Sequence, residues 1–155
     1  MRRHRAKVRA IAPDPRFGDE VIARFVNALM WDGKKSLALN IVYSALEKAS
    51  ASLKKDAKEV FYEALSNVKP SLEIKSRRVG GATYPVPTQV RAERSQALAI
   101  RWLIHSARAR SEKTMAERLA NEFRDSIQGR SGATRKKEET HKQADANRAF
   151  SHYRW

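Results

Sequence analysis

The amino-acid sequence predicts a mainly α-helical fold: a single domain of about six helices over residues 19–155, preceded by a basic arm at residues 1–18 and interrupted by a projecting two-stranded β-hairpin arm at residues 71–90. Three observations carry this reading. Apolar residues recur at helical spacing in successive segments, one stretch switches to strict alternation around a Gly-Gly pair, and no cysteine or internal repeat imposes another architecture. A chain of 155 residues is long enough for one ordinary core.

The arm carries Arg2, Arg3, Arg5, Lys7, Arg9 and Arg16 against one acid, Asp14, with no apolar period. Such a segment buries too little surface to offset its ordering entropy and is expected to order only on a partner. From Asp19 the residues Val21, Ile22, Phe25, Val26, Leu29 and Met30 mark a first helix, with Gly33 as a left-handed stop. A second helix starts near Ser36 and lines one face with Ala38, Ile41, Val42, Ala45, Leu46, Ala49 and Leu53. A third carries Val60, Phe61, Ala64, Leu65 and Val68 until Pro70 ends it.

Between residues 71 and 90 the period drops to two. Leu72 and Ile74 alternate with Glu73 and Lys75, Gly80 and Gly81 form a turn, and Tyr84, Val86, Thr88 and Val90 alternate again. Pro85 and Pro87 place both missing N–H groups on one side of their strand, so that side must stay unpaired and the hairpin projects as a ribbon. An isolated hairpin is marginal in water, so the ribbon is expected to lean on the domain or on a ligand.

A fourth helix runs from about Glu93 to Ala109. A fifth starts at Thr114, where Thr114 and Glu117 have the spacing of a capping box, and is expected to bury Ala116, Leu119, Ala120, Phe123 and Ile127 before Gly129. The segment at residues 132–155 is a polar helix through Lys136, Glu139 and Ala146 with an aromatic tail: Phe150, His152, Tyr153 and Trp155.

Thirty-two Lys and Arg oppose 17 Asp and Glu, a formal charge of +15. In a lone particle that charge repels itself, whereas against phosphates it releases condensed counterions and becomes affinity. A polyanionic partner is therefore expected. No stretch is apolar enough to span a bilayer, the basic start does not resemble a signal peptide, and the absence of cysteine removes thiol and cysteine-zinc chemistry. These features point to the cytoplasm, or an organelle interior, with no membrane partner.

Several constellations suit nucleic acid. Arg94, Arg101 and Arg108 are seven residues apart and form one helical stripe with His105 beside it, bordering an apolar face of Ala97, Ile100, Leu103, Ile104 and Ala107. No acid lies between Arg94 and Arg110, which favours phosphate contact over a solvated face of paired charges. Lys75, Arg77 and Arg78 precede the hairpin turn and Tyr84 follows it. Cations there can track a phosphate backbone and the tyrosine can stack on a base; alternatively the cations only protect an exposed edge from aggregation. Asp32, Gly33, Lys34 and Lys35 form a basic turn at a helix N-terminus, and Arg135, Lys136 and Lys137 repeat the theme. In the aromatic tail Phe150 and Trp155 are expected to fold back on the bundle, while Tyr153 and Arg154 fit either packing or RNA stacking.

Catalysis finds little footing. The four histidines are scattered without metal-like or nucleophile-activating spacing, phosphate-binding glycine motifs are missing, and no cofactor or small-molecule substrate is implied. The carboxylates, such as Glu117 near Asn121 and Glu122 near Arg118, read as surface pairing. A scaffold that holds folded RNA is the leading interpretation; a helical regulator that docks in duplex DNA and a basic nuclease are the alternatives, separable by RNA-versus-DNA competition and by cleavage assays.

Three stretches carry a family resemblance. They are Asp32 through Ser36; Lys75 through Tyr84 with Val86 and Pro87; and Ala144 through the ending Ala146, Asn147, Arg148, Ala149, Phe150, Ser151, His152, Tyr153, Arg154, Trp155, joined by Ala97 through Leu103. Together they resemble the bacterial family of small-subunit ribosomal protein number seven over nearly the whole chain. The resemblance implies a bundle of six helices with a projecting ribbon, and a structural constituent of the small ribosomal subunit. It further implies binding to the 3′ major domain of small-subunit ribosomal RNA (rRNA), nucleation of head assembly, neighbouring small-subunit proteins, and a place beside exit-site tRNA and the mRNA path. By this resemblance Arg2, Arg3, Arg5, Lys7, Arg9, Lys34, Lys35, Lys75, Arg77, Arg78, Arg91, Arg94, Arg101, Arg108 and Lys136 meet rRNA, while Gly80, Gly81, Tyr84, Arg148 and Tyr153 face the exit-site tRNA. Some members repress their own operon. Pro85 and Gln143 depart from the family pattern and bear on local contacts.

Overall fold

The computed structural model describes residues 4, 6 and 9–153. Arg2, Arg3, Arg5 and Lys7 of the arm, and Arg154 and Trp155 of the tail, lie outside the described residues. The order is α1 (Glu20–Leu29), α2 (Lys35–Leu53), α3 (Ala57–Val68), β1 (Leu72–Val79), β2 (Ala82–Gln89), α4 (Ala92–Ala109), α5 (Met115–Ile127) and α6 (Gly132–Ala146), followed by a 3₁₀ turn at Arg148–Tyr153. The mainly helical domain with one antiparallel hairpin is thus as the periodicities require.

Four of the helices, α1, α3, α5 and α6, start where a side chain satisfies free N–H groups. Asp19 accepts from Val21 N and Ile22 N at 2.7 and 3.2 Å, Asp56 from Lys58 N, Thr114 from Glu117 N and Ser131 from Thr134 N. Asp19 does more than cap. The Tyr62 hydroxyl of α3 donates to its second oxygen at 2.6 Å, and Lys58 lies 3.4 Å away, so the start of α1 is fixed to α3. Burial alone would raise the Asp19 carboxyl, but Tyr62, the two backbone N–H groups and Lys58 outweigh it and hold it below its ordinary value of 3.8. Burial of the ring, with the same contact to Asp19, pushes the Tyr62 hydroxyl up to about 12.

The core forms where α5 packs against α2, α3 and α4. Phe25, Phe61 and Phe123 are fully buried and meet ring to ring, with centroids 5.5, 5.7 and 6.1 Å apart and two of the three contacts edge-on. Val60, Phe61, Ala64, Leu65 and Val68 of α3 are all buried, as their spacing demands. Some expected core positions are only half covered, namely Ile41, Leu53, Ala116 and Ile127, and Ala97 is exposed. Ala97 begins the margin of α4, where no helix lies over it.

Two features of the arm and of the carboxylates differ from the sequence reading. Residues 14–18 are not free: Asp14 is buried and accepts from Arg16 N, Phe17 N and, at 2.8 Å, the Tyr43 hydroxyl of α2. The arm therefore leaves the domain from a fixed point. Glu122, expected in a surface pair with Arg118, is 1% exposed. Its Oε1 accepts from Ala133 N at 3.1 Å and its Oε2 from Arg110 Nη1 at 3.0 Å, while Arg110 also reaches Asp125 and Glu112 at 2.9 Å. A carboxylate there ties the start of α6 to the α4–α5 connection. Arg118 donates instead to the carbonyl of Glu112 at 2.6 Å, and Glu117 pairs with Lys48 of α2 rather than with Asn121.

The hairpin closes by a pair of left-handed glycines, Gly80 at φ 56° and Gly81 at φ 92°, between the paired residues Val79 and Ala82. Pro85 and Pro87 stand opposite Ser76 and Ile74, and among the described residues the sheet has two strands. The ribbon does lean on the domain. Val86 is fully buried, Ser95 Oγ donates to Pro70 O at 2.7 Å, and Ser71 N donates to His141 Nε2 of α6 at 3.1 Å. Polar α6 thus contributes little core beyond Ala133 and Ala144, but it braces the base of the ribbon.

Replacing Glu122 by Ala leaves Ala133 N without its buried acceptor and removes one of the three carboxylates on Arg110, and is expected to cost roughly 2–3 kcal/mol in urea unfolding. Since the folded Asp19 carboxyl lies below its unfolded value, its stabilisation is complete above about pH 4 and is lost as pH falls through the folded value. Asp19→Asn keeps the cap, so its stability is expected to fall less steeply than the wild type's between about pH 4 and pH 2 in acid denaturation.

Candidate nucleic-acid interface

The outer edge of α4 faces solvent because α5 and α6 take its apolar side. There the stripe divides by environment. Arg94 turns toward the ribbon and its Nε lies 3.4 Å from Glu73, a carboxylate that also holds Lys75 at 3.3 Å. Arg101 is exposed, and Arg108 lays its guanidinium 4.6 Å from the Trp31 ring centroid while donating to Leu29 O at 3.1 Å. Arg101, His105 and Arg108 line an open groove of about 400 Å³ between α1 and α4, with Ile100 and Ile104 at its floor.

Arg24 of α1 joins this groove, a residue that the sequence reading missed. Its spacing gave a signal, since Arg24 and Ala28 lie one turn apart opposite the buried stripe of α1, but only the packing of α1 beside α4 gives them a common ligand surface. Glu93 also lines the groove and is its one acid.

Lys34 and Lys35 are exposed at the start of α2. Asp32 and Gly33 before them are both left-handed, at φ 53° and 72°, which turns the chain sharply and presents the lysines at the helix end. Lys34 occupies the N-cap position without a side-chain hydrogen bond, so the positive end of α2 and two ammonium groups coincide. Arg91 is likewise exposed at the N-cap of α4.

On the ribbon the three cations do not form one cluster. Arg77 pairs across the strands with Tyr84 and is half buried, and Lys75 shares that face; Arg78, opposite Thr83, lies on the other face and is exposed. Tyr84 is half-buried and the aromatic tail packs against it. It stacks on Tyr153 at 5.1 Å and 19° and touches Phe150 at 5.4 Å, so the 3₁₀ turn covers it. Phe150 folds back, as expected, but onto the ribbon. Tyr153 packs there too, and Arg148 stays exposed at the start of the turn. Gly80 and Gly81 form an exposed tip.

Ion pairing sorts the candidates further. Among the described residues Lys34, Lys35, Arg78, Arg91, Arg101 and Arg108 have no carboxylate within 4.0 Å, whereas Lys75, Arg94 and Lys136 do, the last with Glu139 one turn along α6. Neighbouring Lys137 is held by Asn67 O at 2.8 Å. Arg9 is exposed beyond the Asp14 anchor, with no regular structure. Unpaired cations spread over the α1–α2 turn, α4 and the ribbon suit the phosphates of a folded strand better than a single small anion. Among the described residues no group of His, Asp or Glu could hold a metal ion, and no helix is long and apolar enough to cross a membrane.

Comparison with known proteins gives a consistent match along the chain. A family model described as "Ribosomal protein S7p/S5e" matches residues 1–148. A protein of Paracoccus denitrificans named "Small ribosomal subunit protein uS7" is 58% identical over 154 residues, 99% of each chain. A protein of Cereibacter sphaeroides named "Small ribosomal subunit protein uS7A/uS7B" is 60% identical, and a uS7 of Rhodobacter capsulatus 59%, each over 99% of both chains.

Because Tyr153 and Phe150 cover Tyr84, Tyr153→Ala is expected to loosen the outer ribbon. An aromatic pair contributes about 0.5–1.5 kcal/mol beyond burial, so amide exchange at Tyr84 and its cross-strand partner Arg77 is expected to quicken roughly 2- to 10-fold, while exchange in α3 and α5 stays unchanged.

Proposed function

The chain belongs to the ribosomal protein S7p/S5e family, and from that membership we propose that it binds the 3′ major domain of small-subunit rRNA through the outer edge of α4 and the basic α1–α2 turn. It is a structural, non-enzymatic constituent of the small ribosomal subunit, part of the cytoplasmic ribosome, and it associates with rRNA and with ribosomal proteins. The relatives named above are bacterial, and the interior of an organelle has no support among them.

The observation that carries the proposed site is the set of cations without carboxylate partners: exposed Arg101 and half-buried Arg108 on α4, exposed Lys34 and Lys35 at the start of α2, Arg91 at the base of the ribbon and Arg78 near its tip. A cation already neutralised by a carboxylate releases fewer counterions on meeting phosphate, so these six are expected to contribute more affinity than Lys75, Arg94 or Lys136. Rigid helices hold four of them, Lys35, Arg101, Arg108 and the Arg91 cap, which favours shape recognition of a folded RNA junction. Arg9 and the basic residues before it would follow the RNA surface from the anchor at Asp14. In the assembled particle the chain would nucleate the head. Its Gly80–Gly81 tip and Arg148 would face the exit-site tRNA and the mRNA path, with Tyr84 and Tyr153 acting as the support behind them.

The test is binding of the purified chain to a transcript of the 3′ major domain across a salt series, with duplex DNA as competitor. Arg101→Ala is expected to weaken binding and to reduce the logarithmic salt slope by about one, and Lys136→Ala to change the slope less. Equal affinity for duplex DNA, or a slope indifferent to Arg101, would count against the site.

A further inference from the structure

We propose that Trp31 is a stacking platform for one unstacked RNA base, a contact that rests on the rRNA-binding reading above and adds a base-stacking point beside Lys34 and Arg108. Trp31 is 68% exposed and Leu37 56%, and these two are the large hydrophobic side chains left in solvent among the described residues. They stand on either side of the left-handed Asp32–Gly33 turn and share one open groove of about 450 Å³ with Ile41 and Met115 at its apolar floor.

The rim of that groove is cationic. Arg108 lies over the indole at 4.6 Å and is anchored by Leu29 O, and Arg118 is anchored by the carbonyls of Glu112 and Arg108 at 2.6 and 3.5 Å. Backbone carbonyls orient both guanidinium groups without cancelling their charge, and among the described residues neither has a carboxylate partner. Lys34 completes the rim, and Asp32 is its one acid. An apolar helix docked here would bury these charges unpaired, which is costly. A nucleobase matches both parts. Its π-face lies on the indole and the apolar floor, while the phosphates on either side meet Lys34 and Arg118. The groove is also continuous with the proposed rRNA surface, because Arg108 lines both this groove and the one beside Arg101. Being exposed, Trp31 can be changed without opening the core.

The experiment uses the full chain and a 3′ major domain transcript, with Trp31→Phe, Trp31→Leu and Trp31→Ala compared across a salt series after thermal melting has shown each to be folded. Stacking requires that Trp31→Phe bind within about three-fold of the wild type, while Trp31→Leu and Trp31→Ala lose about ten-fold or more at every salt concentration with the slope unchanged. Binding by Trp31→Leu equal to the wild type overturns the platform, since the site would then need only an apolar surface, as a protein partner would. Wild-type chain that ignores the transcript overturns the parent reading as well, so the two failures are distinct.

Discussion

The contact on which the rest of this molecule depends is the meeting of Phe25, Phe61 and Phe123, one ring from each of α1, α3 and α5. Three large rings from three helices fix the relative rotation of those helices, because an edge-on aromatic contact tolerates little sliding in a packed interior. Rotation decides which side of each helix faces outward. With α5 centred on Phe123, α4 has only one way to cover Leu103, Ile104 and Ala107, and that orientation leaves Arg101 and Arg108 on the outside beside α1.

A chain with charge +15 also needs its acids to be well placed. Several of them are turned inward as structural acceptors. Asp14 anchors the arm to Tyr43, Asp19 joins α1 to α3, and Glu122 joins Arg110 to the backbone of α6. Glu112 is held below its ordinary value against the effect of its burial, by Asn121, its own backbone N–H and Arg110. Acids committed to internal hydrogen bonds cannot neutralise the outer face. The molecule therefore spends several acids on internal hydrogen bonds and leaves a set of its surface cations without carboxylate partners, the arrangement that converts self-repulsion into affinity for a polyanion.

The ribbon shows how a marginal element is supported. Its prolines remove the hydrogen bonds a third strand would need along the outer edge of β2, so it cannot add a strand on that side. Support comes from the side: Val86 is buried, His141 accepts from Ser71 N, and Phe150 and Tyr153 cover Tyr84. The C-terminal segment is thus part of the ribbon's structure, and the exposed chemistry near the tip reduces to Arg78, Arg148 and the two glycines.

Much of this was legible in the chain itself. Helical spacing located α1 to α5, alternation around Gly80 and Gly81 located the hairpin, and the excess of Lys and Arg named the class of partner, because periodicity and charge are local quantities that survive without coordinates. What only the tertiary structure decided is which charges are left over. Glu73 reaching Arg94, Glu122 retreating beneath Arg110, Arg24 joining the α4 groove and Arg108 settling on Trp31 are all encounters between residues distant in sequence. No spacing rule encodes such pairs, since they arise from how amphipathic helices rotate to bury their apolar sides, and that rotation is a property of the whole core.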